Sequence, residues 1–274
     1  MPKPNLQEIV EYRGVEGLVA AEVLVDDGNN FTTGAVFAIA GVAEIQKASN
    51  ASSDAHYYDN IPAIVIMSDG ADTITISASA IPLDVLATLT GQFYDPALGA
   101  MSEGSPAVKY FALGYKTKKT NGEEVYVWRL KGTFQNPDQT SHTENNTTDA
   151  NGQELVYTGI STTHKFTKTG KSAKALVVDV GANLADVSTF FDAVTTIDDL
   201  TAKTPYSLSI TQATGTTVTV TRKGVALANN ASIYEGDVLV ITCTGGTLTV
   251  NSNSFVSGSS LTVSGNVTVT STAS

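Results

Sequence analysis

The alternation of apolar and polar positions is clearest between residues 106 and 132. Residues 107–115 change face at every step, with the period of an extended strand. Asn121-Gly122 tolerates positive φ and predicts a reversal, and Glu124 to Lys131, rich in Val, Tyr and Trp, predicts the return strand. The base of this hairpin is apolar on both faces. We therefore expect cover on both sides, from its own domain or from a neighbouring subunit.

The pattern predicts further strands and turns in the first two hundred residues. The predicted strands are 15–25, 35–45, 63–67, 72–79, 154–167 and 176–180. Turns are predicted at 26–30 and at Asp69-Gly70. A polar loop is predicted at 46–54 and a long mobile loop at 133–152, and residues 1–12 are predicted to form an irregular arm.

Two short helices are also predicted. Pro82 opens the first, and Gly91 ends it. The apolar stripe of this helix is Val85, Leu86 and Leu89. Asn183 is the expected N-cap of the second, whose apolar face would be Leu184, Val187, Phe190, Phe191 and Val194.

Composition divides the chain in two. Residues 1–204 hold 14 Lys/Arg and 25 Asp/Glu, which accounts for the whole net charge of -11, while residues 205–274 hold two of each. Of those last 70 residues, 25 are Ser or Thr, and short strands are predicted at 216–221, 237–243, 247–250 and 267–270. We predict a first domain over 1–200, a polar linker at 195–204, and a small β-sandwich over 205–274. The expected core of the sandwich is Val218, Val220, Leu239, Ile241, Leu248 and Val250.

Several classes of protein are disfavoured. A single cysteine, Cys243, excludes an intrachain disulfide. The N-terminus lacks the apolar core of a signal peptide, and no apolar run approaches a membrane span, so we expect a soluble protein made in a cytoplasm. An acidic first domain is poorly suited to gripping phosphate backbones.

Candidate chemistry is sparse, and no pair of carboxylates stands out for acid–base work. Thr169-Gly170-Lys171-Ser172 resembles the end of a phosphate-binding loop, but Lys165 stands where the pattern needs glycine, which favours an exposed turn. His56, His142 and His164 lack metal-ligand spacing.

Three further features have a structural explanation that we prefer. Asp69 and Asp72 lack the spacing of a calcium loop, and a solvated turn is favoured. Cys243 lies in an apolar strand and is expected to be a small buried residue rather than a reactive thiol. Tyr57-Tyr58 could stack on a base or sugar, but one core and one interface residue is the preferred interpretation. We predict no catalytic, metal or cofactor-binding residues and no enzyme activity.

The order of landmarks carries a resemblance to a known family. YYDNIPAIVI precedes an alternating strand, followed by IPLDVLATLTGQFYDPALGAM, PAVKYFALGYKTKKTNGEEVYVWRLKGTF, a polar loop and ELVYTGISTTHKFTKTGKSAKALVVDV. Over roughly residues 10 to 200 this resembles the major tail tube proteins of long-tailed bacteriophages, of the phi13 type. Gln92-Phe93-Tyr94-Asp95 stands where a charged Arg/Lys-Asp stretch is expected. SIYEGDVLVITCTGG is similar to the immunoglobulin-like domains appended to many tail proteins, without their Cys–Trp–Cys core.

The resemblance implies a fold and an assembly. It implies a mainly β tail-tube barrel or sandwich with one or two short helices, followed by an outer immunoglobulin-like sandwich. Such subunits form hexameric rings that stack into a tube for DNA delivery. The implied partners are further copies of the chain, tape measure protein and DNA in the lumen without tight binding, and the tail terminator and distal tail proteins. Host-surface glycans are a further candidate partner, through residues 205–274. The location is the virion tail, assembled in the host cytoplasm.

We assign seven residues to the subunit interface on this basis: Tyr57, Tyr58, Asp59, Asn60, Phe111, Tyr126 and Trp128. The polar loops at 46–60 and 133–152 and the arm at 1–12 are the candidates for contacts between rings. The alternative function is a bacterial surface or carbohydrate-binding β-sandwich protein, suggested by the Ser/Thr-rich tail and opposed by the missing signal peptide.

Overall fold

The computed structural model describes residues 9–58, 60–138 and 152–273 and forms two compact units. The first unit contains the described residues up to Gly181 together with Val187–Leu200, and the second contains Ala182–Asp186 and the chain from Thr201. The fold is mainly β, as the sequence pattern predicts. Each unit has its own hydrophobic core.

The first unit is built from eleven described strands and one α-helix. They are β1 (Tyr12–Asp26), β2 (Phe31–Thr33), β3 (Phe37–Ala38), β4 (Val42–Tyr58), β5 (Ile61–Ala78), α1 (Leu83–Thr90), β6 (Phe93–Asp95), β7 (Ala100–Ser102), β8 (Phe111–Lys119), β9 (Glu124–Phe134), β10 (Gln153–Gly159) and β11 (Ala175–Asp179). The main sheet runs in the order β2-β1-β8-β9-β10-β5-β4, with β3 on β1 and β11 on β9. The predicted β8–β9 hairpin therefore lies near the middle of this sheet.

The β8–β9 hairpin is covered on both faces by its own unit. Strand β8 begins at Phe111, four residues later than predicted, and Gly122 has a φ of 85° in the turn. Trp128 is fully buried, and its indole N–H donates to the carbonyl of Phe190 at 2.8 Å, which satisfies the polar end of the ring. On the other face Phe111 packs on Phe134, and the hydroxyl of Tyr157 donates to the carbonyl of Phe111 at 2.9 Å.

The first predicted helix is confirmed and the second is wrong. Gly91 ends α1 in the left-handed conformation with a φ of 69°, where an added Cβ would lie 2.0 Å from the carbonyl oxygen of Ala107. Asn183 has a φ of 56°, which is incompatible with an N-cap. A 3-10 turn (Val180–Ala182) and a short strand stand there instead, and Phe190 and Val194 are buried on turns.

The predicted loop at 46–54 and the turn at Asp69-Gly70 are both wrong. Residues 42–58 and 61–78 form one long antiparallel hairpin, β4–β5. The outer part of this hairpin has both faces exposed, so apolar and polar residues do not alternate along it. The sequence pattern therefore gives no sign of a strand there. Gly70 lies at a bulge rather than a turn, and a Cβ there would be 2.3 Å from the carbonyl oxygen of Asn50.

Two other predicted strands are shorter than expected. Within 35–45 only Phe37–Ala38 forms a strand before β4 begins at Val42. Strand β10 ends at Gly159, and the chain then turns, because Asp26 accepts hydrogen bonds from the amides of Thr163 and His164. The predicted loop at 133–152 lies largely outside the described residues, as does most of the arm at 1–12.

The second unit contains the remaining strands. They are β12 (Ala185–Asp186), β13 (Thr201–Ala202), β14 (Tyr206–Thr211), β15 (Thr217–Arg222), β16 (Val225–Ala226), β17 (Ser232–Ile233), β18 (Val238–Thr244), β19 (Gly246–Val250), β20 (Asn253–Phe255), β21 (Ser260–Thr262) and β22 (Val267–Ala273). Sheets ordered β17-β14-β22-β19-β20 and β16-β15-β18-β21 pack as a sandwich. All six predicted core residues of this unit are buried.

Gly132 provides a test of close packing in the first core. A Cβ added there would lie 2.4 Å from both the carbonyl oxygen of Thr158 and the ring of the fully buried Tyr157. We expect Gly132→Ala to lower the free energy of unfolding by about 1–3 kcal/mol through overpacking, measured by urea denaturation. Gly104→Ala, with open space around the new Cβ, should leave the stability unchanged. Equal stability of the two variants would contradict this close packing.

Candidate assembly surface

The outer part of β4–β5 is the most unusual surface of the first unit. We call residues 51–58 and 61–68 the distal hairpin. Strand β10 pairs with β5 only over residues 72–78, and the outer edge of β4 has no partner among the described strands. The distal hairpin is therefore a two-stranded ribbon with two open edges.

Apolar side chains are exposed on both faces of the distal hairpin. Ile64 and Ile66 share one face through their pairing with His56 and Asp54, and Val65 lies on the opposite face, 61% exposed. A two-stranded hairpin is at best marginally stable in water, and large exposed apolar surfaces generally mark interaction sites. This segment therefore has the properties of a surface that a partner covers.

The predicted interface residues fall in three places. Tyr57 and Tyr58 lie at the end of the distal hairpin, 67% and 60% exposed, and Asn60, with a φ of 64°, lies in its turn. Asp59 lies outside the described residues. The structure therefore brings three of the predicted residues together at one tip. Because both tyrosines are exposed, the expectation that one of the pair is a core residue is wrong.

Phe111 and Trp128 are corrections to the predicted interface. Both side chains are fully buried in the chain's own core, so neither has surface to offer a neighbouring subunit. Tyr126 is half-buried, packs on Phe190 and Phe191, and donates to a carboxylate oxygen of Glu124 at 3.0 Å. The sequence showed two apolar faces on the hairpin, but the rest of this chain covers them.

A groove of about 530 Å³ opens beside the inner part of β4. Its apolar wall comes from five strands and includes Val15, Ile45, Tyr115, Val127 and the exposed Val177. The sequence does not reveal this groove, because its residues come from separate parts of the chain and meet only in the folded sheet.

A buried carboxylate, that of Asp72, forms ion pairs with the cations on one side of this groove. Asp72 is 3% exposed and lies 3.1 Å from Lys47 Nζ, 3.6 Å from Arg129 Nη1 and 3.5 Å from Lys174 Nζ. Burial by itself would raise the pKa of Asp72, but the hydrogen bond and charge of Lys47 and the charge of Lys174 outweigh it, so the pKa is lowered. The solvated turn expected at Asp72 is therefore wrong.

A second buried carboxylate anchors the chain after β10. Asp26 lies 2.5 Å from Lys131 Nζ and accepts hydrogen bonds from the amides of Thr163 and His164 at 2.8–3.0 Å. Burial opposes ionisation, and the bonds from Lys131 and the two amides outweigh it, which lowers the pKa of Asp26. This contact explains why an acidic residue at the end of β1 is buried rather than solvated.

The remaining candidate chemistry is structural. Residues 169–172 form an exposed turn closed by a bridge from Phe166 to Lys171, with no helix after it. His56 is exposed and His164 half-buried, His142 lies outside the described residues, and among the described residues no metal-binding cluster is found. Cys243 is half-buried at the margin of the second core rather than fully buried. In the described part of the chain no helix has the length and apolar character needed to span a bilayer.

Comparison with known proteins gives no assignment: the chain matches no protein-family model and no curated protein sequence.

The Asp72 cluster predicts a defined dependence of stability on pH. Asp72→Asn leaves three cations without their shared carboxylate, and we expect a loss of about 3–5 kcal/mol at pH 7. Because the pKa of Asp72 is lowered on folding, its contribution is present above the unfolded value of about 3.9 and disappears as the pH falls through the folded value. The difference in urea stability between wild type and Asp72→Asn should therefore shrink below pH 4.

Asp192→Asn is the matched control for this experiment. Asp192 is exposed and forms no ion pair with a described residue, so its replacement should change stability little at either pH. A cost for Asp72→Asn that stays constant from pH 7 to pH 2.5 would show that the ion pairs do not stabilise the fold.

Proposed function

We propose that this chain is a structural protein that assembles with copies of itself into the tail tube of a long-tailed bacteriophage. The order of landmarks along residues 10 to 200 supports this family. On this proposal the first unit forms hexameric rings, the rings stack into a conduit for DNA, and the protein carries out no chemical turnover.

The observation that carries the proposal is the distal hairpin. Within the described residues both of its edges are open, and both faces expose large apolar side chains, including Ile64, Val65 and Ile66. Pairing or packing with other copies would cover these edges and faces, and closing a ring leaves no free edge. A structural subunit has a use for such a segment, whereas an isolated monomer would be prone to aggregate.

The charge of the first domain is consistent with a conduit. Residues 1–204 carry the whole net charge of -11. DNA that must pass through a tube is held least where the wall repels phosphate. We propose that tape measure protein and DNA occupy the lumen without tight binding, and that tail terminator and distal tail proteins bind the ends of the tube.

The second unit is proposed as an outer module. It is a small sandwich with its own core and balanced charge. Six such modules in the bore would obstruct DNA, so we place them on the outside of the tube. Weak contacts with host-surface glycans, repeated along a tail, would there add up through avidity.

The competing function is a bacterial surface or carbohydrate-binding protein. The strands of the second unit expose rows of threonines, including Thr219, Thr242 and Thr268, which favour polar ligands. Glycan binding by a chain that stays monomeric at high concentration would support this alternative. Rings or tubes of the purified chain would exclude it as the main function.

Assembly should depend on the apolar surface of the distal hairpin. We expect Ile64→Thr, Val65→Thr and Ile66→Thr together to abolish rings and tubes in negative-stain images, because threonine keeps strand propensity but removes apolar contact. Circular dichroism should show an unchanged fold. The control is Val256→Thr, another exposed apolar position, which should assemble like wild type. Normal tubes from the triple variant would remove the distal hairpin from the assembly surface.

The outer position of the second unit gives a separate prediction. A chain ending at Lys203 keeps β13 and its pairing with β12 but lacks the sandwich. We expect it to form tubes that are thinner in electron micrographs, and phage carrying it should still form plaques. Failure of the folded, truncated chain to form tubes would make the second unit an assembly element.

A further inference from the structure

The groove beside β4 has an unusual balance of charge. Lys47 and Arg129 both line it, and the single buried carboxylate of Asp72 pairs with both of them. Glu44 also lines the groove, and its Oε1 accepts a hydrogen bond from the side-chain amide of Gln46 at 2.9 Å. The groove thus combines an apolar wall with two cations that share one buried anion.

Arg129 has donor capacity left over. Its closest polar contacts are long, 3.6 Å to Asp72 and 3.5 Å to the hydroxyl of Tyr115. Its buried Nε has no hydrogen-bond partner within the described residues. Because the contacts of the guanidinium with Asp72 and Tyr115 are long, an incoming carboxylate can form a shorter charge-assisted hydrogen bond with its exposed part.

One face of the distal hairpin has the complementary chemistry. The register Asp54↔Ile66 and His56↔Ile64 places a carboxylate and two exposed isoleucines on the same face. Asp54 is exposed and forms no ion pair with a described residue. This face therefore offers apolar surface to the apolar wall of the groove and a carboxylate to its two cations, Lys47 and Arg129.

The distal hairpin cannot fill the groove of its own chain. Lys47 and Asp54 belong to the same strand, β4, and are seven residues apart. At about 3.3 Å per residue the strand holds them roughly 23 Å apart. Contact between the two surfaces therefore requires a second copy of the chain.

We infer that the Asp54 face of the distal hairpin of one copy docks onto the groove of the next copy. Asp54 then meets Lys47 and Arg129, and Ile64 and Ile66 cover the apolar wall. The two surfaces differ, so the contact is head-to-tail and generates rings or filaments rather than closed dimers. This inference rests on the proposed self-assembly and adds which surfaces meet.

Asp54→Lys tests the charge pairing. Placing a cation against Lys47 and Arg129 should raise the concentration needed for assembly by about tenfold or more, measured by sedimentation velocity with full-length protein. The control is Ser53→Lys, which places the same cationic side chain at the neighbouring position on the opposite face. Assembly of Asp54→Lys at the wild-type concentration, or equal inhibition by Ser53→Lys, would overturn the inference.

Cross-linking between copies tests the contact directly. Asp54→Cys and Lys47→Cys are prepared as separate chains, both carrying Cys243→Ser, and treated with a short bismaleimide. We expect a covalent product of twice the chain mass in the mixture, in excess of that from either variant alone. Ser53→Cys in place of Asp54→Cys should give no such excess. Equal yields from Ser53→Cys and Asp54→Cys would overturn the inference.

Failure of the proposed self-assembly and failure of the Asp54 contact give different experimental results. A wild-type chain that stays monomeric at every concentration contradicts the proposed function and this inference together. Wild-type rings or tubes, with assembly insensitive to Asp54→Lys and no specific cross-link to Lys47→Cys, leave the proposed function standing and overturn only the docking of Asp54.

Discussion

The organisation of the first unit depends on covering the edges and the apolar faces of its antiparallel strands. In the middle of the sheet both faces are covered: Trp128 and Phe111 lie on opposite sides of the β8–β9 hairpin, and both are fully buried. The distal hairpin is not covered, because its open strands expose isoleucine and tyrosine to water. Burial of apolar surface is the main favourable contribution to association, so this contrast favours a subunit over a finished monomer.

Buried carboxylates link distant parts of the chain. Asp72 on β5 meets cations from β4, β9 and the segment before β11, and Asp26 fastens the chain after β10 to the end of β1. These two carboxylates pair with four of the 14 Lys and Arg residues of 1–204. Lys47 and Arg129 therefore stabilise the fold through their ion pairs with Asp72, and both can pair with one further carboxylate.

The two units differ in how completely each covers its own apolar surface. The second unit closes its sandwich around a complete core, and its outward threonines give it a polar surface. Among the described residues, the first unit leaves the distal hairpin uncovered. The proposed assembly surface therefore lies on the first unit.

The sequence alone determined the elements whose patterns are local. The alternation in β8, β9, β15 and β18, the Gly91 end of α1, the two-part composition and the six core residues of the sandwich were all predictable, since each depends on neighbouring positions. The tertiary structure decided the rest. The polar stretch at 46–54 is a strand only because β5 pairs with it, Asp72 is buried only because three distant cations converge on it, and Phe111 and Trp128 are core residues only because the same chain covers both faces of their hairpin. Such long-range pairing leaves no periodic mark in the sequence, which is why it could not be predicted.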